Sequence, residues 1–371
     1  MCKKYTKIGM EIIKTLRNHR IFPKTDHELA ALRAQQWDLY QTPTPIKQTI
    51  LGKAFHFRPG LTLTPFANAR ACNAHCRFCS EELQRKDGHQ LTAKNYIRDY
   101  DRYFQGLEIA LRELGGLPIG LSLSGLEATA EPAWLLRLLA LFQKVLPDFQ
   151  FDEKVLYTNG TGLYRFPELI PALERAHFDR IELSRCHYDS ETNQKVMYFN
   201  RNEPVWENGP YEELVKSCQG RLFVKNSCIL TKTGIKTLEE METYLEWAAS
   251  LGVKEVVFRE LSRLDDNYLP NSTAKWVREN RVSIDPILAR LSPNMSNTRA
   301  GWKYQSSTLG YYYYNEHFLY KGKTEVIIET SSYPALMSAN DTGTIQKLVF
   351  HSNGNLCGDW DPSSHIIGKF F

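Results

Sequence analysis

Short apolar runs and amphipathic runs of helical length alternate through residues 60–290, and few folds tolerate that alternation. GLTLTPF, PIGLSLSG, FDEKVLYTNGTG, RIELSR, GRLFVKNSCIL and KEVVFREL read as strands. NYIRDYDRYFQGLEIALREL, AWLLRLLALFQKVL, FPELIPALERAH and TLEEMETYLEWAASLG carry the helical period between them. Strands separated by such helices build right-handed βαβ units on a parallel sheet. The chain offers roughly six units, fewer than the eight of a complete barrel, so the expected class is α/β, an open, partial (β/α)6 barrel of TIM type.

Both flanks differ in texture. Residues 1–55 read as a helical extension, with periodic runs in IGMEIIKTLRNH and HELAALRAQQWDLYQ that TPTP brings to an end. Residues 56–292 form the expected barrel, and 293–371 a small β-rich extension packed on it. In that last segment a KGK turn and an Asn353-Gly354 turn separate aromatic and β-branched runs, as in antiparallel hairpins.

Forty-six Lys+Arg oppose 42 Asp+Glu, and the resulting +4 is scattered rather than blocked, so charge implies no nucleic-acid partner. No window approaches the length of apolar chain that spans a bilayer, and no signal-peptide core follows the basic start, so no membrane partner and a cytoplasmic location are expected. In a reducing compartment the eight cysteines stay free or bind metal.

Three of them crowd together. Cys72, Cys76 and Cys79 follow the strand at 60–66 with C-x3-C-x2-C spacing. Full cysteine ligation of a [4Fe–4S] cluster takes four thiolates, so a three-thiol loop holds three irons and leaves the fourth open to a small molecule. A zinc knuckle is the competing reading, but it wants a second Cys or His pair, and only His75 and His89 stand nearby.

The C-x3-C-x2-C loop, with aromatic Phe78 before its last cysteine, resembles the signature of the radical S-adenosylmethionine (SAM) superfamily. That resemblance implies a partial barrel, a [4Fe–4S] cluster on Cys72, Cys76 and Cys79, and SAM chelated at the open iron. Ser124-Gly125-Leu126-Glu127-Ala128-Thr129 is similar to the family's S-G-G-E-P-T stretch, with Leu126 for the second glycine and Ala128 for the proline. It implies that Ser124, Gly125 and Glu127 hold the methionyl amino group. Thr158 and Asn159, and Ser184, resemble segments lining the SAM ribose and carboxylate, and Asn226 resembles an asparagine that faces SAM. The 224–253 stretch and the SNGNLCGDWDP hairpin resemble the molybdenum-cofactor cyclase-like and SPASM/twitch-like branch. Cys357 is the lone cysteine of the tail, so no auxiliary cluster is expected.

Polar residues at strand ends supply the rest of the candidate site, because barrels of this connectivity build their sites there. Arg185, Arg259 and Glu260, with His187, are candidate substrate contacts, and the thiol of Cys186 is a candidate hydrogen-atom donor; Cys218 and Cys228 read as inert. The expected activity is reductive SAM cleavage to a 5′-deoxyadenosyl radical that abstracts hydrogen from a peptide. A small metabolite or nucleoside is the alternative substrate, and a non-catalytic iron–sulfur or zinc protein the alternative class. The implied partner is an electron donor such as flavodoxin or ferredoxin.

Overall fold

The computed structural model describes residues 44–86, 88, 96–145, 149–291, 299–340 and 342–371. The helical reading of residues 1–43 lies outside the described residues. Residues 46–57, read above as the tail of that extension, instead form an antiparallel hairpin, β1 (Ile46–Ile50) and β2 (Lys53–Phe57). Leu51 and Gly52 take left-handed backbone in its two-residue turn, at φ 47° and 78°. That geometry matches the strands' own twist.

Six parallel strands follow: β3 (Leu61–Pro65), β4 (Ile119–Leu123), β5 (Phe151–Thr158), β6 (Arg180–Ser184), β7 (Val224–Leu230) and β8 (Glu255–Glu260). They pair in chain order, as βαβ connections require. The crossovers carry α1 (Tyr100–Glu113), α2 (Pro132–Val145), α3 (Thr161–Arg165), α4 (Leu169–Arg175), α5 (Ser190–Met197), α6 (Asn208–Cys218) and α7 (Leu238–Ser250). After β8 come α8 (Ser272–Asn280) and α9 (Asp285–Leu291). The start of α7 is written locally: Thr237 and Glu240 form a reciprocal capping box.

The pleat then decides what faces what. Leu61 and Leu63, Leu121 and Leu123, Ile181 and Leu183, and Val256 and Phe258 are buried in one cluster with Leu107, Leu135, Leu173, Leu214 and Leu245 of the helices. Their strand neighbours occupy the opposite, inner face, which is polar: Glu182 on β6, Lys225 and Ser227 on β7 and Arg259 on β8 are joined there by hydrogen bonds or ion pairs.

The C-terminal strands do not make a separately packed sheet. β9 (Trp302–Leu309), β10 (Tyr313–Tyr320) and β11 (Thr324–Ser331) form a meander whose β11 pairs in parallel with β8. Past α10 (Tyr333–Asn340), a short β12 (Thr344–Ile345) joins β2, and β13 (Leu348–Phe350) pairs in parallel with β3. β14 (Asn355–Cys357) and β15 (Ile366–Lys369) complete that side. A six-stranded open sheet leaves a row of unpaired backbone groups at each edge, and one segment of chain satisfies both. The result is a mixed α/β fold on a 12-stranded sheet that ends at β15 and β9 and does not close into a barrel. The expected KGK and Asn353-Gly354 turns join β10 to β11 and β13 to β14.

Candidate functional site

The loops at the C-terminal ends of β3, β4 and β5 meet at one place. After β3 the chain runs through half-buried Cys72, Cys76 and Cys79 into a 3-10 turn, Ser80–Glu82, with Cys79 N–H donating to Cys76 O at 3.0 Å. The end of α5 braces this loop from outside: His75 N–H donates to Tyr198 O at 2.9 Å, Arg77 N–H to Val196 O at 3.1 Å, and Asn200 N–H to Asn73 O at 3.0 Å.

On its inner side the loop is tied to β5. Asn159 Nδ2 donates to Asn73 Oδ1 at 2.9 Å and lies 3.8 Å from Cys72 Sγ, and Asn73 Nδ2 donates to Thr161 Oγ1. Asn159 Oδ1 in turn accepts from Thr161 N–H at 3.0 Å and its hydroxyl at 2.7 Å.

Glu127 locks the β4 loop to the same strand end. Its Oε1 accepts from the hydroxyls of Thr129 and Thr158, both at 2.6 Å, and from Thr129 N–H at 3.1 Å; Oε2 accepts from Asn159 N–H at 2.7 Å. Burial pushes this carboxyl upward against the pull of those donors. Two glycines allow the approach. Gly125 takes φ +82°, and a Cβ there would stand 2.2 Å from the Phe66 ring; one on Gly162 would stand 2.0 Å from Thr129 O.

Burial pushes the Cys72 thiol up to about 12, with the Glu127 charge adding to it, and burial followed by the neighbouring thiols also raises Cys76. The thiolate forms are therefore left for a bound cation to compensate. Phe78, Ile229 and Trp276, like Cys72 and Cys76, pack half-buried against a cluster that includes Met197 and Phe199. Among the described residues no group of three or more His, Cys, Asp or Glu side chains is placed to hold one metal ion. Cys72 and Cys79 both act on Cys76, so the three thiols stand near one another, as the ligands of a single cubane would.

The strands scatter the other sequence candidates. Ser124 Oγ lies 3.2 Å from Ser122 Oγ beside the Glu127 turn, and Ser184 ends β6 in register with Ser227. Arg185 is buried toward the helices, stacked on Tyr211 and Trp247, and donates to the carbonyls of His187, Val205 and Trp206 and to Asn208. Asn226 faces the same layer, its Oδ1 accepting from Tyr211 OH at 2.8 Å. Glu260 pairs with Arg281 and accepts from Thr330. His187 accepts the Asp189 amide on Nδ1. Cys186 is buried with Val196 and Met197 in the cluster against which Cys76 packs, and burial raises its thiol to about 12.

Arg259 does reach the inner face, where it bonds Glu182 at 2.9 Å, Glu329 at 2.7 Å and Ser227. Lys225 lies 2.8 Å from Glu255 and 3.6 Å from Glu182. Burial would raise the Glu182 carboxyl, but Arg259 and Lys225 hold it below the usual range. Glu182 and Glu329 are not among the residues expected from the sequence; their signal is a charge between apolar residues in IELS and a charge at the end of the apolar run in VIIETS. Asn73, Thr129 and Thr161 were passed over too; each is an ordinary turn residue until the three loops converge.

No protein-family model and no curated protein matches the sequence. Among solved structures the chain is similar to a histidine-tagged anSMEcpe with bound AdoMet, at 17% identity and TM-score 0.40 over 54% of this chain and 51% of that one. Streptococcus suis SuiB bound to S-adenosylmethionine gives 12% and 0.44 over 94% and 69%. Escherichia coli coproporphyrinogen III oxidase (HemN), described as a radical SAM enzyme, gives 14% and 0.38 over 70% and 67%. The chain thus spans about half the length of the anSMEcpe chain, 51%.

Proposed function

We propose that this chain is a radical SAM enzyme that abstracts hydrogen from a peptide. The observation that carries the reading is the convergence of a three-thiol loop with the Glu127 turn through Asn73 and Asn159. A [4Fe–4S] cluster with SAM, when bound, supplies reductive cleavage of the sulfonium and a 5′-deoxyadenosyl radical.

The chain's own part is positional. Cys72, Cys76 and Cys79 would hold the cluster. Asn73 and Asn159 fix the loop that presents Cys72. Glu127 fixes the β4 and β5 ends relative to each other and is the carboxylate that would meet the SAM amino group. Phe78, Ile229 and Trp276 pack with Met197 on the apolar cluster that also carries Cys72 and Cys76. Gly125 and Gly162 allow the backbone approach that no side chain permits. Arg259 and Lys225 pair with Glu182, Glu255 and Glu329 on the inner face.

A peptide substrate is supported by the outer edge of β9, with which no strand pairs among the described residues. An extended peptide adds to such an edge through backbone hydrogen bonds.

The test is anaerobic reconstitution with iron and sulfide, then dithionite and SAM. We expect a brown protein that forms 5′-deoxyadenosine, with iron and product both lost in Cys76→Ala. A peptide substrate is expected to raise product formation and to lose hydrogen by mass. Colourless protein that takes up zinc in place of iron would overturn the reading.

A further inference from the structure

We infer that the outer surface of the cysteine loop, with the end of α5, is the docking face for an acidic one-electron donor protein. The inference rests on the radical SAM reading, since it supplies the electron that reading needs.

Residues 67–80 and 192–202 contain no Asp or Glu, but they hold Arg70, Arg77, Lys195 and Arg201, together with His75. All five are exposed. Ion pairs hold many of the charges elsewhere, yet among the described residues Lys195 and Arg201 have neither an ion pair nor a side-chain hydrogen bond. Arg77 donates Nε to Lys195 O at 2.9 Å and Arg70 donates to Ala130 O, so both side chains are held without a carboxylate partner. The acids that flank these two segments are Glu81 and Glu82 in the turn after Cys79, and Asp189 and Glu191, exposed at the start of α5. Glu203 is buried and paired with Arg165.

Tyr198 lies within this patch. It is 55% exposed and takes left-handed backbone at φ 50°, strained for a residue with a side chain. An exposed aromatic flanked by cations that hold no ion pair is the composition of an interface centre meeting an acidic partner.

Geometry ties the patch to the chemistry. The backbone bonds from His75 to Tyr198, Arg77 to Val196 and Asn200 to Asn73 make its two halves one unit with the loop bearing Cys72 and Cys76. A protein seated there lies against the loop that bears Cys72 and Cys76. One electron leaves the donor's reduced cofactor and enters the cluster, so the donor is oxidised by one electron and the cluster reduced by one.

The experiment uses the full reconstituted chain and flavodoxin, an acidic flavoprotein, as probe. Calorimetric binding of flavodoxin is compared between wild type and Lys195→Glu/Arg201→Glu at low and high salt. We expect the variant to bind about tenfold more weakly at low salt, and salt to weaken the wild type to the same level. Iron content and dithionite-driven 5′-deoxyadenosine formation are expected to match wild type within about twofold, which separates docking from folding and chemistry. Equal flavodoxin affinity in both proteins overturns the docking face. So does binding of a DNA duplex as tight as that of flavodoxin, which would make the patch a general polyanion site. Absence of product with dithionite, alongside charge-dependent flavodoxin binding, would count against the radical reading and leave the docking face standing.

Discussion

Glu127 and Asn159 stand on different strand ends, and Oε2 of the first accepts the backbone amide of the second at 2.7 Å. With the Thr129 and Thr158 hydroxyls and the Thr129 amide on Oε1, both oxygens of this carboxylate face donors. Glu127→Gln sets an amide N–H2 against one of those donors, a cost of about 1–3 kcal/mol. We expect a lower unfolding temperature and SAM affinity down about tenfold, read by thermal melts and equilibrium dialysis of labelled SAM.

A methyl on Gly162 would meet Thr129 O at 2.0 Å, and a backbone atom cannot swing aside. Gly162→Ala is expected to cost at least ~3 kcal/mol, the upper part of the range for overpacking. Urea unfolding checks this. Unchanged stability would mean that the β4 and β5 loops are not interlocked as described.

Arg185 satisfies three carbonyls and Asn208 from a buried position. Arg185→Met strands those acceptors and is expected to destabilise the fold by about 3 kcal/mol, while Arg185→Lys, with fewer donors and no planar fork, recovers little. Dithionite-driven SAM cleavage per iron-loaded chain is expected to stay near wild type. A selective loss of turnover in a stably folded variant would return Arg185 to the substrate site.

Arg259 sits between Glu182 and Glu329 on the inner face. Removing it leaves two carboxylates without their shared cation, a loss of about 3–5 kcal/mol for Arg259→Met. Glu182 keeps Lys225 and Arg180 when Arg259 is lost, whereas Glu329 keeps no ion pair among the described residues, so Glu329→Gln/Arg259→Met is expected to recover part of that loss in the same unfolding assay.

His351 gives a pH signature. Burial lowers its folded pKa from the usual 6.5 to about 4, with Nε2 3.3 Å from Asp359 O. The unfolded chain therefore binds a proton that the folded chain refuses, so stability is complete above pH 6.5 and lost as pH falls through 4. His351→Gln is expected to flatten the melting-temperature curve across that window and leave the slope above it unchanged.

The alternation of strand and helix signals was legible along the chain because each element writes its own period. The spacing of Cys72, Cys76 and Cys79 was legible for a similar reason, since a loop this short keeps its thiols together whatever surrounds it. The α5 and α6 crossover was not, because Asn208–Cys218 opens on Asn-Gly-Pro and its apolar positions are few. The strand-end polars were found as a group, but their roles could not be sorted: Asn226 and Ser227 are neighbours in sequence, yet one bonds the helix layer and the other Arg259.

By itself the sequence determined what short-range chemistry can determine: a parallel α/β core, its turns, and a three-thiol loop after the first strand of that core. Tertiary structure alone decided which face each polar residue took, because a strand's pleat has no inside until its neighbours fix the register. It alone also decided that the last seventy or so residues would seal both edges of the core sheet, because the backbone groups that make those bonds are the same in every residue.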